Sequence, residues 1–386
     1  MSHKESVLDR MKREKKEKLV TIKQWIKNEI VLCIAAILAI ISMCLVPPDD
    51  SYVEYFDYRT LVLLFCLMAV VAGLKRANIF EWLAGKLLGK ITNTTQLAQV
   101  LVFLCFFTSM FITNDVALLT FVPFTLLVIQ KADCKQWTIY IIVLQTIGAN
   151  LGSILLPVGN PQNLYLYGIS GYSLLQFVWH MIPLWLFSLV GLWIATLVIK
   201  KKEIVVETKS VTINGGWFYL ILFLLCLGTV VGWLSYKILL LVLVFAIVWK
   251  EKEILLEVDY CLLATFICFF IFIGNVKAMP QVANVLHELI GGRELFVGIA
   301  ASQVISNVPA AILLSGFSNN IASLLWATNI GGLGTLIASL ASVISYKIYM
   351  QEKNKNGKGY LKVFTGMNLL FLVSLCGVAV FLQSIF

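Results

Sequence analysis

The stretch Phe111-Ile-Thr-Asn-Asp-Val-Ala-Leu-Leu-Thr-Phe-Val-Pro-Phe124 decides how this chain is read. Three polar residues, Thr113, Asn114 and Asp115, interrupt a long apolar run, which then resumes as helix. A carboxylate inside hydrocarbon costs about 2.5–3.5 kcal/mol on insertion scales, so an intramembrane Asp is read as functional by default. A related break, Ser306-Asn307-Val308-Pro309, occurs in the second half. The two breaks are expected to meet at mid-membrane around a shared ligand.

Composition makes hydrocarbon the relevant solvent. The 386 residues are 60% hydrophobic and 13% charged, with a mean hydropathy of +0.89. A soluble domain carries about 25% charge. Several apolar runs reach about 20 residues, enough to span a bilayer. A long charged segment precedes the first of them, which does not fit a cleavable signal peptide. The net charge of +9 lies mostly in loops and reports orientation rather than nucleic-acid binding. The nine cysteines include no CxxC and read as packing residues. The three histidines (His3, His180, His287) offer no clustered metal site, and His180 and His287 read as interfacial.

Charge then orders the topology. Residues 1–28 are rich in Lys and Arg and belong in the cytoplasm. A first span over 29–46 ends at Pro47-Pro48, and an acidic loop with Asp49, Asp50, Glu54 and Asp57 lies outside. A second span over 59–73 returns to Lys75-Arg76, and 79–90 reads as an interfacial helix. Lysines flank 94–130 on both sides, so this segment enters and leaves by one face. Its second arm, 116–130, is about 22 Å long at 1.5 Å per residue, short of the roughly 30 Å core. A re-entrant hairpin with Thr113-Asn114-Asp115 at its tip fits; two tight full spans are the alternative.

A span over 137–156 is interrupted at Pro157-Val-Gly-Asn-Pro-Gln-Asn163, where the prolines remove backbone donors. A span over 172–199 follows, then a cytoplasmic linker over 200–214. Spans are expected at 215–232, 236–249 and 258–276, then an amphipathic helix over 281–290. A second hairpin covers 294–318, and the last spans cover 321–346 and 363–384, leaving the C-terminus outside. The organisation is therefore a basic segment (1–28), a first repeat (29–199), a linker (200–214), and an extra span plus second repeat (215–386). The second copy runs upside down relative to the first. Gly148-Ala-Asn150-Leu-Gly152 aligns with Ala327-Thr-Asn329-Ile-Gly331 at an offset of 179 residues. Inverted repeats of this kind place substrate near the midplane.

The second arm of each hairpin starts just after a polar tip. Helix N-termini carry partial positive charge and unpaired N–H groups, which suits an anion. Asn114 and Asn307 can donate to an oxyanion. The tip carbonyls, with the Thr113 and Ser306 hydroxyls, are hard oxygen ligands suited to Na⁺. Asp115 would strengthen a cation site or carry a coupling proton. The plainer readings are that the asparagines satisfy local backbone, that Gly159-Asn160-Pro161 ends a helix, and that Asp115 pairs with Lys277.

Asp57-Tyr-Arg-Thr60, Thr113-Asn114-Asp115, Gly148-Ala-Asn-Leu-Gly-Ser153, Pro157-Val-Gly-Asn-Pro-Gln-Asn163 and Ser306-Asn307 together resemble the ion transporter superfamily. That group holds divalent-anion/sodium symporters, citrate transporters, arsenite permeases and some sodium/proton antiporters. The likeness runs from about residue 30 onward and is nearest to the citrate-transporter-like, anion permease branch. It implies an all-α polytopic membrane protein of two inverted repeats with re-entrant hairpins, about nine full spans plus two hairpins. It also implies a homodimer working as an elevator. The substrate and sodium sites it implies are lined by Thr113, Asn114, Gly159, Asn160 and Asn163, with Ser306, Asn307, Asn329 and Thr335. Dicarboxylate symporters carry Ser-Asn-Thr at both tips, where this chain has Thr-Asn-Asp and Ser-Asn-Val. The second interrupted span, Gly334-Thr-Leu-Ile-Ala-Ser-Leu-Ala-Ser342, lacks proline. The Asn-Asp pair is similar to the arsenite permeases instead.

The expected function is secondary active transport of a small anion, a carboxylate or oxyanion, across the plasma membrane, coupled to Na⁺ or H⁺. Substrate would be held by Thr113, Asn114, Asn160, Asn163, Ser306, Asn307, Asn329 and Thr335. The coupling ion would be held by Thr113, Asn114, Asp115, Gly159 and Ser306. Beyond Na⁺, no metal or cofactor is expected; the partners are the anion, the bilayer and a second copy, with no nucleic acid. Arsenite or antimonite efflux and sodium/proton antiport are the alternatives within transport. A membrane enzyme acting on a lipid-linked substrate is the alternative outside it, disfavoured because the sequence offers no clustered catalytic His or acid pair near an interface, and neither His180 nor His287 has a Ser or Cys partner nearby in sequence.

Overall fold

A computed structural model describes residues 29–89, 91–204, 212–353 and 355–385. The basic segment 1–28 and most of the charged linker (205–211) lie outside the described residues. The described residues form helices joined by short turns, in two compact units.

The smaller unit joins residues 29–56 to Asp259–Pro280. Its first helix, α1 (Ile30–Leu45), stops where Pro47-Pro48 withdraws two donors. Asp49 caps the following turn, Asp50–Tyr55. Helix Tyr260–Lys277 packs along α1, and Asn275 Nδ2 donates to Ser42 Oγ at 3.0 Å. Gly274 lets the Tyr55 ring close in: a Cβ there would lie 2.2 Å from the ring.

The larger unit comprises Asp57–Val258 and Gln281–Phe386. It opens with α2 (Tyr58–Arg76), capped by Asp57, and the short α3 (Ile79–Leu88). Helices α4 (Thr94–Ile112) and α5 (Asn114–Lys131) then form a hairpin with Thr113 alone between them. The structure thus corrects the expected three-residue tip, because Asn114 and Asp115 already belong to the second arm's first turn. It also corrects that arm's length. At 18 residues, about 27 Å, α5 is long and apolar enough to cross a membrane.

The first interrupted span is as read: α6 (Thr138–Gly152), a turn at Pro157–Gly159, and α7 (Pro161–Ser170). Helix α6 is buried on every side from Ile141 to Gly152. Helix α8 (Leu174–Thr196) starts at a Ser173/Gln176 capping box; α9 (Gly216–Val230) and α10 (Tyr236–Glu251) follow. Arg76 ties the end of α2 to Glu251 and Glu257.

Counting Tyr260–Lys277 as α11, the next helix is the amphipathic α12 (Pro280–Ile290), with Val282, Val285 and Leu289 exposed. The second hairpin is α13 (Glu294–Ile305) and α14 (Asn307–Ser315), with Ser306 alone between them. At nine residues, about 14 Å, α14 is too short to span. The segment expected over 321–346 is broken into α15 (Ile321–Gly331), a turn at Leu336–Ala338, and α16 (Leu340–Tyr349). Gly334 at φ +103° lies in this break, which has no proline, where the first interrupted span has Pro157 and Pro161. Helix α17 (Gly357–Ile385) closes the chain.

Six helices among the described residues are long and apolar enough to cross a membrane. They include both arms of the first hairpin, so fewer of the nine expected spans reach full length by themselves. Outward faces of α8, α10 and α17 carry large apolar side chains such as Trp193, Phe245, Trp249 and Phe381, as hydrocarbon solvent requires. Glycine sets how closely the inner helices approach. A Cβ on Gly152 would lie 1.9 Å from the Phe106 carbonyl oxygen, and one on Gly331 would lie 2.6 Å from Ser302 Oγ. These two glycines occupy matching positions in the two halves, where α6 packs on α4 and α15 on α13.

Candidate functional site

The two hairpin tips share one backbone conformation. Thr113 has φ +69°, ψ 151°, and Ser306 has φ +74°, ψ 155°. This left-handed extended region is essentially restricted to glycine and costs about 1–3 kcal/mol for other residues. A β-branched threonine there is an outlier that the surroundings must enforce. The strain turns the chain in a single residue, so each second arm starts with its N–H groups at the tip. Neither tip side chain caps its helix.

Hydrogen bonds link both tips to the second break. Asn114 Nδ2 donates to Asn150 Oδ1 at 2.9 Å, and Ser339 Oγ donates to the same oxygen at 2.9 Å. One residue back, the Ala338 carbonyl accepts from Ser306 Oγ at 3.4 Å. The first tip thus reaches Ser339 through Asn150, and the second reaches the carbonyl of the neighbouring Ala338.

A second group ties the two breaks to each other. Asn160 Nδ2 donates to Asn329 Oδ1 at 3.1 Å, and Asn329 Nδ2 donates to Asn163 Oδ1 at 2.6 Å. Asn160 also caps α7 by accepting from Asn163 N–H, and Asn163 Nδ2 reaches the Ile154 carbonyl. All three are buried, and a buried amide is held in place only when its partners are met. Gly159 allows the chain to fold against residue 153, since a Cβ there would lie 2.1 Å from the Ser153 carbonyl oxygen.

The structure therefore brings together Thr113, Asn114, Gly159, Asn160, Asn163, Ser306, Asn307 and Asn329. Asn307 is 4% exposed and packs against Gly332, where a Cβ would come 2.8 Å from its Nδ2. Asp115 sits half-buried in the first turn of α5, its N–H donating to Asn114 Oδ1 at 3.0 Å. Thr335 is apart from this cluster: it is exposed, with its N–H and hydroxyl on Gln303. Gln303 also donates to the Gly331 and Leu333 carbonyls, bracing the second break. His180, stacked on Trp326 at 4.4 Å and bonded to the Ala322 carbonyl, is a packing residue.

Asn150, Ser339 and Gln303 were not among the site residues expected from sequence. Asn150 had a signal, because it matches Asn329 at the 179-residue offset. Ser339 and Gln303 lack one, as their roles depend on which carbonyls the break exposes. The cluster offers helix N-termini, amides, hydroxyls and backbone carbonyls, with Asp115 adjoining it. Among the described residues no group of His, Cys, Asp and Glu could hold a metal ion.

A family model described as citrate transporter matches residues 19–328. A Methanocaldococcus jannaschii protein named as an uncharacterized transporter is 32% identical over 295 residues, covering 76% of this chain and 81% of that one. The inner membrane protein YbiR of Escherichia coli is 30% identical over 319 residues, covering 77% and 82%. A Dictyostelium discoideum protein named as a transporter, arsB, is 26% identical over 121 residues, covering 31% and 21%. With matched residues over most of its length and helices built for hydrocarbon, this chain belongs to the citrate transporter family of multi-pass membrane transporters.

Proposed function

We propose that the chain moves a small anion, a carboxylate or oxyanion, by secondary active transport coupled to Na⁺ or H⁺. The observation that carries this reading is the pair of strained tips, Thr113 and Ser306, with Asn114 after the first bonded to Asn150 and Ser306 bonded to the Ala338 carbonyl. Two helix N-termini at one site favour negative charge. On this reading tip carbonyls, the two tip hydroxyls, Asp115 and the backbone at Gly159 supply oxygens for a coupling cation. The matched series of hairpin and interrupted span in each half supports the inverted-repeat reading; elevator movement of the site, a homodimer and a plasma-membrane location complete the proposal. The N-terminus would then be cytoplasmic and the C-terminus outside.

Uptake of labelled citrate and other carboxylates and oxyanions into proteoliposomes tests the reading, with an imposed Na⁺ or H⁺ gradient. Gradient-dependent accumulation, lost in Asn307→Ala without loss of fold, is expected. Gradient-independent behaviour across the whole panel would overturn it. Asp115 beside Asn114, the pair in which the sequence resembles the arsenite permeases, favours arsenite or antimonite efflux as the second reading. Metalloid resistance conferred on a sensitive host would select it.

A further inference from the structure

Asn150 differs from the other asparagines of the cluster. At the first tip, Asn114 Oδ1 accepts the Asp115 N–H, so Asn114 must present Nδ2 to its neighbour. Asn150 answers with Oδ1, which also takes the Ser339 hydroxyl. Turned the other way, Asn150 would set one NH₂ group against another, so its orientation is fixed by the network. Its own Nδ2 then points away from these partners, buried, with no hydrogen bond among the described residues. Asn150 is 5% exposed.

Its counterpart Asn329 is arranged oppositely. Asn329 Nδ2 donates to Asn163 and to the Leu325 carbonyl, and its Oδ1 accepts from Asn160. One of two matched asparagines is thus a fully bonded brace, and the other holds an open donor. A primary amide nitrogen donates and does not accept, so it cannot ligate a cation; its occupant must present an acceptor. Through Oδ1 the Asn150 side chain is held by Asn114, the first residue of α5, a helix end that carries unpaired N–H groups and partial positive charge.

We propose that Asn150 Nδ2 contacts an oxyanion of the transported anion directly, and that Asn114 is the positioning residue that aims it. This rests on the anion-transport reading above. Asn150→Asp keeps the shape and the acceptor for Asn114 and Ser339 while removing the donor. Asn150→Leu removes donor and acceptor without adding charge.

The test is thermal stabilisation of the purified full chain in sodium, titrated with citrate and, separately, with sulfate. At least one anion stabilises the parent. Both variants then need at least tenfold more of it, the scale of a lost charge-assisted hydrogen bond. Only the Asp variant recovers, relative to the parent at the same pH, between about pH 8 and about pH 5.5, as its buried carboxyl takes up a proton and again donates. Thr146→Ala, one turn away on α6, stays within threefold of the parent. Variants binding within twofold of the parent would overturn the proposal, as would a Thr146→Ala loss equal to theirs. A parent unmoved by both anions would remove the anion reading, and this proposal with it.

Discussion

At the tip of the first hairpin, glycine should be more stabilising than alanine. At an ordinary position Gly is about 0.5–1 kcal/mol worse than Ala, because it loses more backbone freedom on folding. Thr113 sits at φ +69°, ψ 151°, where any Cβ carries a strain of about 1–3 kcal/mol. Thr113→Ala keeps that strain and Thr113→Gly releases it. The difference leaves Gly ahead by about 1 kcal/mol. At roughly 2–4 °C per kcal/mol for chains somewhat shorter than this one, the Gly variant should melt about 2 °C above the Ala variant. The assay is thermal unfolding in detergent, with Ser306→Gly and Ser306→Ala as the second pair. Relief of strain also loosens the tip, so the Gly variants should bind the stabilising anion more weakly while being more stable. An Ala variant as stable as the Gly variant at both tips would refute the strained geometry and the enforced turn derived from it.

Gly152→Ala should lower the unfolding midpoint by the equivalent of about 1–3 kcal/mol, because its Cβ would meet the Phe106 backbone rather than a flexible side chain. Gly366→Ala, with open space around it, should be neutral or slightly stabilising; equal losses would refute the close α4–α6 approach. Asn329→Ala should cost about 2–4 kcal/mol, since it strips partners from Asn160 and Asn163 in a buried network. Thr335→Ala, exposed, should stay within about 0.5 kcal/mol; thermal unfolding that ranks the two alike would contradict the brace.

The sequence by itself determined the solvent and most of the helix order. Apolar runs of fixed length, ended by Pro47-Pro48, Pro157 or basic clusters, read directly because hydrocarbon forces backbone bonds inside each segment. It also picked out Thr113, Asn114, Ser306 and Asn307, as polar residues cannot sit in apolar runs without a reason. The single-residue tips were not legible, since the φ of Thr113 and Ser306 is imposed by the arms on either side. Nor was the division of labour among the asparagines. Asn150 and Asn329 stand in the same motif, yet Asn150 meets Asn114 and Ser339 from distant helices, while Asn329 meets Asn160 and Asn163. Which face of an amide is bonded and which is left open depends on partners more than 30 residues away in the chain, so only tertiary packing decides it.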